Sequence, residues 1–126
     1  MLHHLSFGVT DLGPSAKFYD AALVALGYKL VCESKWFVGY GKIKDQDGFA
    51  LKLRKRGVKI PGDGFHLAFA APSRKAVDKF YKAAMKHGGK DNGGCGLHPE
   101  YGDSYYAAFV FDPEGHRIEA VINGRG

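Results

Sequence analysis

The stretch His4-Leu5-Ser6-Phe7-Gly8-Val9-Thr10-Asp11-Leu12 decides the fold, because its pattern returns once further along the chain. Adding 62 to each residue number carries His4-Leu5 onto His66-Leu67 and Lys17-Phe18-Tyr19 onto Lys79-Phe80-Tyr81. Self-similarity at a fixed offset is the sequence signature of duplicated folding units. The sequence therefore predicts two modules of the same design.

Each half shows the same order of secondary-structure signals. Leu5, Phe7 and Val9 alternate with polar or small residues, which predicts a strand with one buried face. Asp11 is a predicted cap for the helix that follows, and Ser73 has the same role in the second half. Three strand-like stretches follow the first helix, at about residues 28–32, 36–41 and 49–53.

In the second half, strand-like stretches at 105–111 and 116–122 are clear, while a glycine-rich segment at 91–104 obscures a third. We expect that segment to be a loop and a candidate lid. Each half thus has a predicted βαβββ order, and the chain a predicted α+β fold. The modules, at about 1–57 and 64–126, should pack together as a single domain, because one half cannot bury both faces of its sheet.

Length and composition fit one compact domain. The chain has 126 residues, 45% of them hydrophobic and 25% charged, which excludes a disordered class and gives enough apolar surface for a core. The first residues lack the basic and apolar regions of a secretory signal, so we expect a cytoplasmic protein with no membrane partner. The net charge of +5 comes from scattered basic residues without interleaved aromatic ones, so no nucleic-acid partner is expected.

A second alignment relates the ends of the modules. At an offset of 67, Asp47-Gly48 falls on Glu114-Gly115 and Lys52 falls on Glu119. This alignment predicts that Lys52 and Glu119 occupy equivalent positions in the two modules.

The motifs at residues 4–12 and 18–19, with Asp112-Pro113-Glu114-Gly115-His116-Arg117-Ile118-Glu119, resemble the vicinal oxygen chelate superfamily. That superfamily includes glyoxalase I, extradiol dioxygenases, and bleomycin and fosfomycin resistance proteins. The resemblance covers the whole chain, and residues 91–109 are similar to a glyoxalase-like subfamily. It implies a half-open eight-stranded barrel around a cleft, with the helices outside, and a homodimer.

The resemblance also implies which side chains face that cleft: His4, Lys52, His66 and Glu119. Imidazole and carboxylate groups suit Zn, Ni, Fe or Mn, so His4, His66 and Glu119 are predicted metal ligands, and Glu119 is the predicted catalytic residue. Lys52 stands where glyoxalase I presents a glutamate. Its ammonium cannot coordinate a metal and would be repelled by one.

Three arrangements stay open for these four residues. Lys52 turns away or loses its proton while the other three hold a metal, or Lys52 pairs with Glu119 in a cleft without a cofactor. In the third, both histidines only satisfy hydrogen bonds within the sheets.

Further residues are predicted to contact a small-molecule ligand. Arg54 shares a strand face with Lys52, and Arg117 shares one with Glu119, which favours an anionic substrate. Phe109 stands where the resemblance places a tyrosine in extradiol dioxygenases, and Tyr105 on the same face carries a hydroxyl instead. The predicted substrate-binding set is Lys52, Arg54, Tyr105, Phe109 and Arg117.

Two functions follow as hypotheses. The first is a divalent-metal-dependent lyase, isomerase or oxygenase that acts on a small oxygen-rich or anionic substrate, with the metal as Lewis acid. The alternative is a non-catalytic drug- or metabolite-binding protein of the resistance type, whose cleft is free of metal.

Overall fold

The computed structural model describes residues 1–124, and its elements follow the predicted order. The first module consists of β1 (Leu5–Val9), α1 (Leu12–Val24), β2 (Lys29–Glu33), β3 (Phe37–Gly41) and β4 (Phe49–Leu53). The second module consists of β5 (Leu67–Ala70), α2 (Arg74–Lys86), β6 (Lys90–Leu97), β7 (Tyr105–Phe111) and β8 (Arg117–Asn123). The two βαβββ modules are confirmed.

The strands form two four-stranded sheets, in the orders β1-β4-β3-β2 and β5-β8-β7-β6. In each sheet the first strand pairs parallel to the last, and the other pairs are antiparallel. Between residues 1 and 124, no strand pairing joins the two sheets. The α+β class is therefore confirmed, with two adjoining sheets rather than a closed barrel.

Both helices begin at their predicted caps. The Asp11 side chain accepts a hydrogen bond from the Gly13 backbone N–H, and the Ser73 side chain accepts one from that of Ala76. Each helix has 13 residues, and α2 begins 62 residues after α1, at the offset of the sequence repeat. Across the described chain, neither helix is both long and apolar enough to cross a bilayer.

The expected lid at residues 91–104 is wrong for its first half. Residues 90–97 form β6, which pairs with β7 and carries a bulge between Asp91 and Gly94. The bulge and several glycines with positive φ interrupt the period-2 pattern, so the sequence alone does not reveal this strand. The remaining residues form a tight turn, in which the Tyr101 N–H donates to the His98 carbonyl.

The modules pack through aromatic rings and one buried hydrogen bond. Phe7 stacks on the ring of His116 with centroids 4.1 Å apart, and α1 packs against α2. Beneath them, the Tyr19 hydroxyl donates to Asp112 Oδ2 over 2.6 Å. Since Tyr19 and Asp112 belong to different modules and are both buried, this bond fixes the modules to each other.

Each sheet has a helix-facing side and an opposite side, which we call its open face. On the helix-facing side, the Tyr40 hydroxyl donates to Asp20 of α1 over 2.9 Å, and the Tyr106 hydroxyl donates to Asp78 of α2. Alternate residues lie on the open face. In the first sheet these are Ser6, Gly8, Phe37, Gly39, Ala50 and Lys52, and in the second Ala68, Ala70, Tyr105, Ala107, Phe109, Glu119 and Val121.

The strand register corrects the predicted equivalence of Lys52 and Glu119. Ser6 pairs with Ala50, and its counterpart Ala68 pairs with Glu119, so the position that matches Glu119 is Ala50. Lys52 corresponds to Val121 instead. The sequence alignment matched the two turns, but the second module has two more residues between its turn and the matching strand position.

The bond between the modules predicts the effect of Tyr19→Phe. Removing the hydroxyl leaves Asp112 Oδ2 without this donor in a buried site, so we expect the free energy of unfolding to fall by about 1.5–3 kcal/mol. Urea denaturation followed by circular dichroism measures this change. Tyr28→Phe is the matched control, because no hydrogen bond of the Tyr28 hydroxyl is present within residues 1–124. Equal losses in both variants would contradict the assignment.

Candidate functional site

Glu119 is the polar centre of the second open face. Its side chain is 1% exposed, Oε1 lies 2.7 Å from His66 Nε2, and Oε2 accepts a hydrogen bond of 2.5 Å from the Tyr105 hydroxyl. A buried carboxylate without partners is strongly destabilising. The two contacts therefore satisfy both oxygens of a group that burial would otherwise penalise.

Strand register brings these three residues together. Ala68 on β5 lies beside Glu119 on β8, and His66 is two residues before Ala68, on the same side of the strand. On the other flank, Phe109 of β7 lies opposite Glu119, and Tyr105 shares its face. The order β5-β8-β7 thus places one donor on each side of the carboxylate.

Aromatic rings surround this centre in a cluster of His66, His98, Tyr101, Tyr105 and Phe109. The rings of His98 and Phe109 are 4.9 Å apart, those of Tyr101 and Tyr105 5.3 Å, and those of His66 and Phe109 6.3 Å. Sequence reasoning did not assign His98 or Tyr101 to the site, because both lie in the turn after β6, where strand alternation ends. Their only signal in the sequence was that both lie within the candidate lid at 91–104.

The environment of Tyr105 keeps its phenol protonated. Burial, followed by the hydrogen bond to Glu119, raises the pKa of Tyr105 from its ordinary value of 10 to about 12. At neutral pH the hydroxyl therefore acts as a donor to the carboxylate.

The predicted cationic residues lie apart from Glu119 or have other partners. Arg117 donates to the Pro61 carbonyl over 2.9 Å and to Asp63 Oδ1 over 3.2 Å, which ties β8 to the segment between the modules. Arg54 donates to the backbone carbonyl of the preceding residue. Lys52 is exposed and forms no ion pair with any described residue. The predicted pairing of Lys52 with Glu119 is therefore not formed.

Of the three predicted metal ligands, the structure brings together only His66 and Glu119. His4 is exposed, and its Nδ1 lies 2.7 Å from Nδ1 of His3. Within residues 1–124, no three His, Cys, Asp or Glu side chains are grouped so that they could hold a metal ion. Catalytic zinc sites use three protein ligands, so the donor set of one chain does not fit the divalent metal that the resemblance implies.

Similarity to known proteins assigns the chain to a family. The family model described as the Glyoxalase/Bleomycin resistance protein/Dioxygenase superfamily matches residues 1–120. The chain belongs to this superfamily. The chain is also 31% identical to the uncharacterized protein YqjT of Bacillus subtilis (strain 168) over an alignment of 131 residues, which covers 95% of this chain and 97% of that one.

Solved structures of the superfamily share the fold. The crystal structure of a glyoxalase/bleomycin resistance protein from Albidiferax ferrireducens T118 has a TM-score of 0.81 and 31% identity, and the match covers 94% of this chain and 95% of that one. A glyoxalase-related enzyme from Fulvimarina pelagi has a TM-score of 0.75 at 22% identity, with 98% of this chain and 88% of that one covered. The second likeness supports the fold alone.

The hydrogen bond from Tyr105 predicts a measurable change in stability. Tyr105→Phe leaves Glu119 Oε2 without its donor, so we expect the free energy of unfolding to fall by about 1–3 kcal/mol. The loss should be the same between about pH 6 and pH 9, because the raised pKa of Tyr105 keeps the hydroxyl protonated throughout.

Urea titrations at several pH values measure this change, with Tyr101→Phe as control. Tyr101 belongs to the same ring cluster but is 62% exposed, and its hydroxyl has no hydrogen-bond partner in the described chain. A control variant as unstable as Tyr105→Phe would show that the loss does not come from the bond to Glu119.

Proposed function

We propose that this chain binds a small molecule on the second open face, around Glu119, without a metal and without turnover. The observation that supports this proposal is the state of the Glu119 carboxylate: both of its oxygens have protein partners, and only one of them, His66, is a metal-ligating side chain. Ala50 at the equivalent position in the first module adds no donor. This is the non-catalytic binding function among the two hypotheses from the sequence.

The chemistry of the face indicates how such a ligand would be held. His66 is half-exposed, and if Nε2 donates to Glu119, its other ring nitrogen is an acceptor for a hydroxyl or amine of the ligand. Tyr101 and Phe109 offer ring surfaces for an apolar or aromatic part. The cationic side chains led us to expect an anionic ligand from the sequence, and the charge of the ligand stays a prediction.

Metal content tests the proposal directly. Protein purified without added metal, and then dialysed against zinc or nickel, should hold only substoichiometric metal by mass spectrometry. His66→Ala should give the same result, and His87→Ala, at the end of α2, is a matched surface control. Stoichiometric metal in the wild-type chain that is lost in His66→Ala, but kept in His87→Ala, would overturn the metal-free site.

A second candidate function is a metal-dependent reaction at a site shared between two copies of the chain. The observation in its favour is that His66 Nε2 and Glu119 Oε1 converge to 2.7 Å while His4 is exposed and separate from them. His4 of a second copy would supply the third donor, in agreement with the homodimer that the resemblance implies. A divalent metal there would act as a Lewis acid on a bidentate oxygen substrate.

Mixing two variant chains distinguishes a shared site from a site within one chain. His4→Ala and His66→Ala chains, each unable to bind metal alone, should recover about one metal ion for every four chains when equal amounts are unfolded and refolded together. About half of the dimers are then mixed, and each mixed dimer keeps one of its two symmetry-related sites intact. Light scattering after gel filtration measures the oligomeric state in the same samples. A dimer that recovers no metal would remove this candidate.

A further inference from the structure

A cavity of about 240 Å³ opens between the two modules, away from Glu119. Its walls include Leu23 of α1, Phe49 of β4 and Phe69 of β5, and the rings of His3 and His4 stand at its mouth. Phe49 and Phe69 lie on the helix-facing sides of their sheets and contact each other with centroids 5.2 Å apart. The cavity is therefore on the opposite side of the sheets from the site proposed above.

This cavity is larger than the voids that close packing usually leaves in a protein. Protein interiors leave few voids larger than a water molecule, and an unfilled apolar void destabilises a fold in proportion to its volume. Leu23 and Tyr40 in its wall are 1% and 2% exposed, so the deep part of the wall belongs to the core, whereas His3 and His4 at the mouth are exposed. Water is a poor occupant, because the Tyr40 hydroxyl already donates to α1 and the other walls are mostly apolar.

Size and lining select the class of ligand. An apolar cavity of about 150 Å³ accepts benzene, so this one has room for a single ring with a short substituent. The walls include Tyr28, Tyr40, Phe49 and Phe69, whose ring faces and edges favour an aromatic partner.

The mouth favours a substituent that accepts hydrogen bonds. Nδ1 of His3 and Nδ1 of His4 are 2.7 Å apart, so one nitrogen donates and the other accepts. The neutral ring that accepts at Nδ1 carries its proton on Nε2, where it remains available to a ligand. None of the twelve lining residues, all within the described chain, has a carboxylate that would repel an anion.

We propose that this cavity is a second binding site, which takes a monocyclic aromatic carboxylate with its ring against the touching rings of Phe49 and Phe69 and its carboxylate at His3 and His4. The ring replaces missing packing contacts, and the imidazole N–H supplies a charge-assisted hydrogen bond. This site does not depend on the function proposed for Glu119.

Benzoate is the probe, added to the isotope-labelled full chain and followed by amide chemical shifts. We expect saturable chemical-shift changes at the amides of residues around the cavity, such as Leu5, Gly48 and Leu67. The changes should not be centred on Tyr105 and Glu119. Benzamide, the neutral analogue, should bind about tenfold more weakly, as expected for the loss of one charge-assisted hydrogen bond. Absence of saturable shifts, or shifts centred on Glu119, would overturn the proposal.

Two variants separate the ring from the carboxylate. Leu67→Trp fills the cavity and should abolish benzoate binding, whereas Leu97→Trp, at a position 53% exposed on β6, should leave it intact. A double His3→Ala, His4→Ala chain should bind benzoate and benzamide equally. Full benzoate affinity in a folded Leu67→Trp chain would contradict the site. If that variant does not fold, the chemical shifts of the wild-type chain still locate the bound benzoate.

Discussion

A carboxylate that is 1% exposed must find its hydrogen-bond donors inside the protein, and the second module meets this requirement for Glu119. The order β5-β8-β7 brings donors to both oxygens, His66 from the start of β5 and Tyr105 from β7. His66 and Tyr105 then have little freedom, because moving either one leaves an oxygen unpaired. The geometry of the second open face around Glu119 is thus set by the cost of burying one charge.

The first module has the same fold but cannot carry the same centre. Ala50 stands where the second module has Glu119, and Gly39 stands where it has Phe109. A Cβ at Gly39 would lie 2.6 Å from Cys32 Sγ and 2.7 Å from Asp47 Cβ, so a ring does not fit there without rearrangement. Duplication has produced two equal scaffolds, of which only the second carries the carboxylate and its aromatic cluster.

The repeat and the strand periodicity were enough to predict the modules and the helix caps, and the resemblance to the vicinal oxygen chelate superfamily implied that His66 and Glu119 share a face. The sequence pattern failed to predict features that depend on which residues pair between strands. The equivalence of Lys52 with Glu119 relied on matching turns, and register depends instead on how many residues separate a turn from its strand. His4 and His66 each lie one residue before their strands, β1 and β5, and only His66 contacts Glu119, so strand alternation alone does not fix either ring. The placement of such side chains can be determined only from the structure.

One short strand separates the two proposed sites. Leu67 and Phe69 of β5 line the cavity, and His66, just before Leu67, contacts Glu119 on the open face. β5 has four residues and is an edge strand that pairs only with β8, so it is held by a single ladder. In this geometry, the wall of the cavity and the partner of Glu119 come from adjacent residues, Leu67 and His66, at the start of one edge strand.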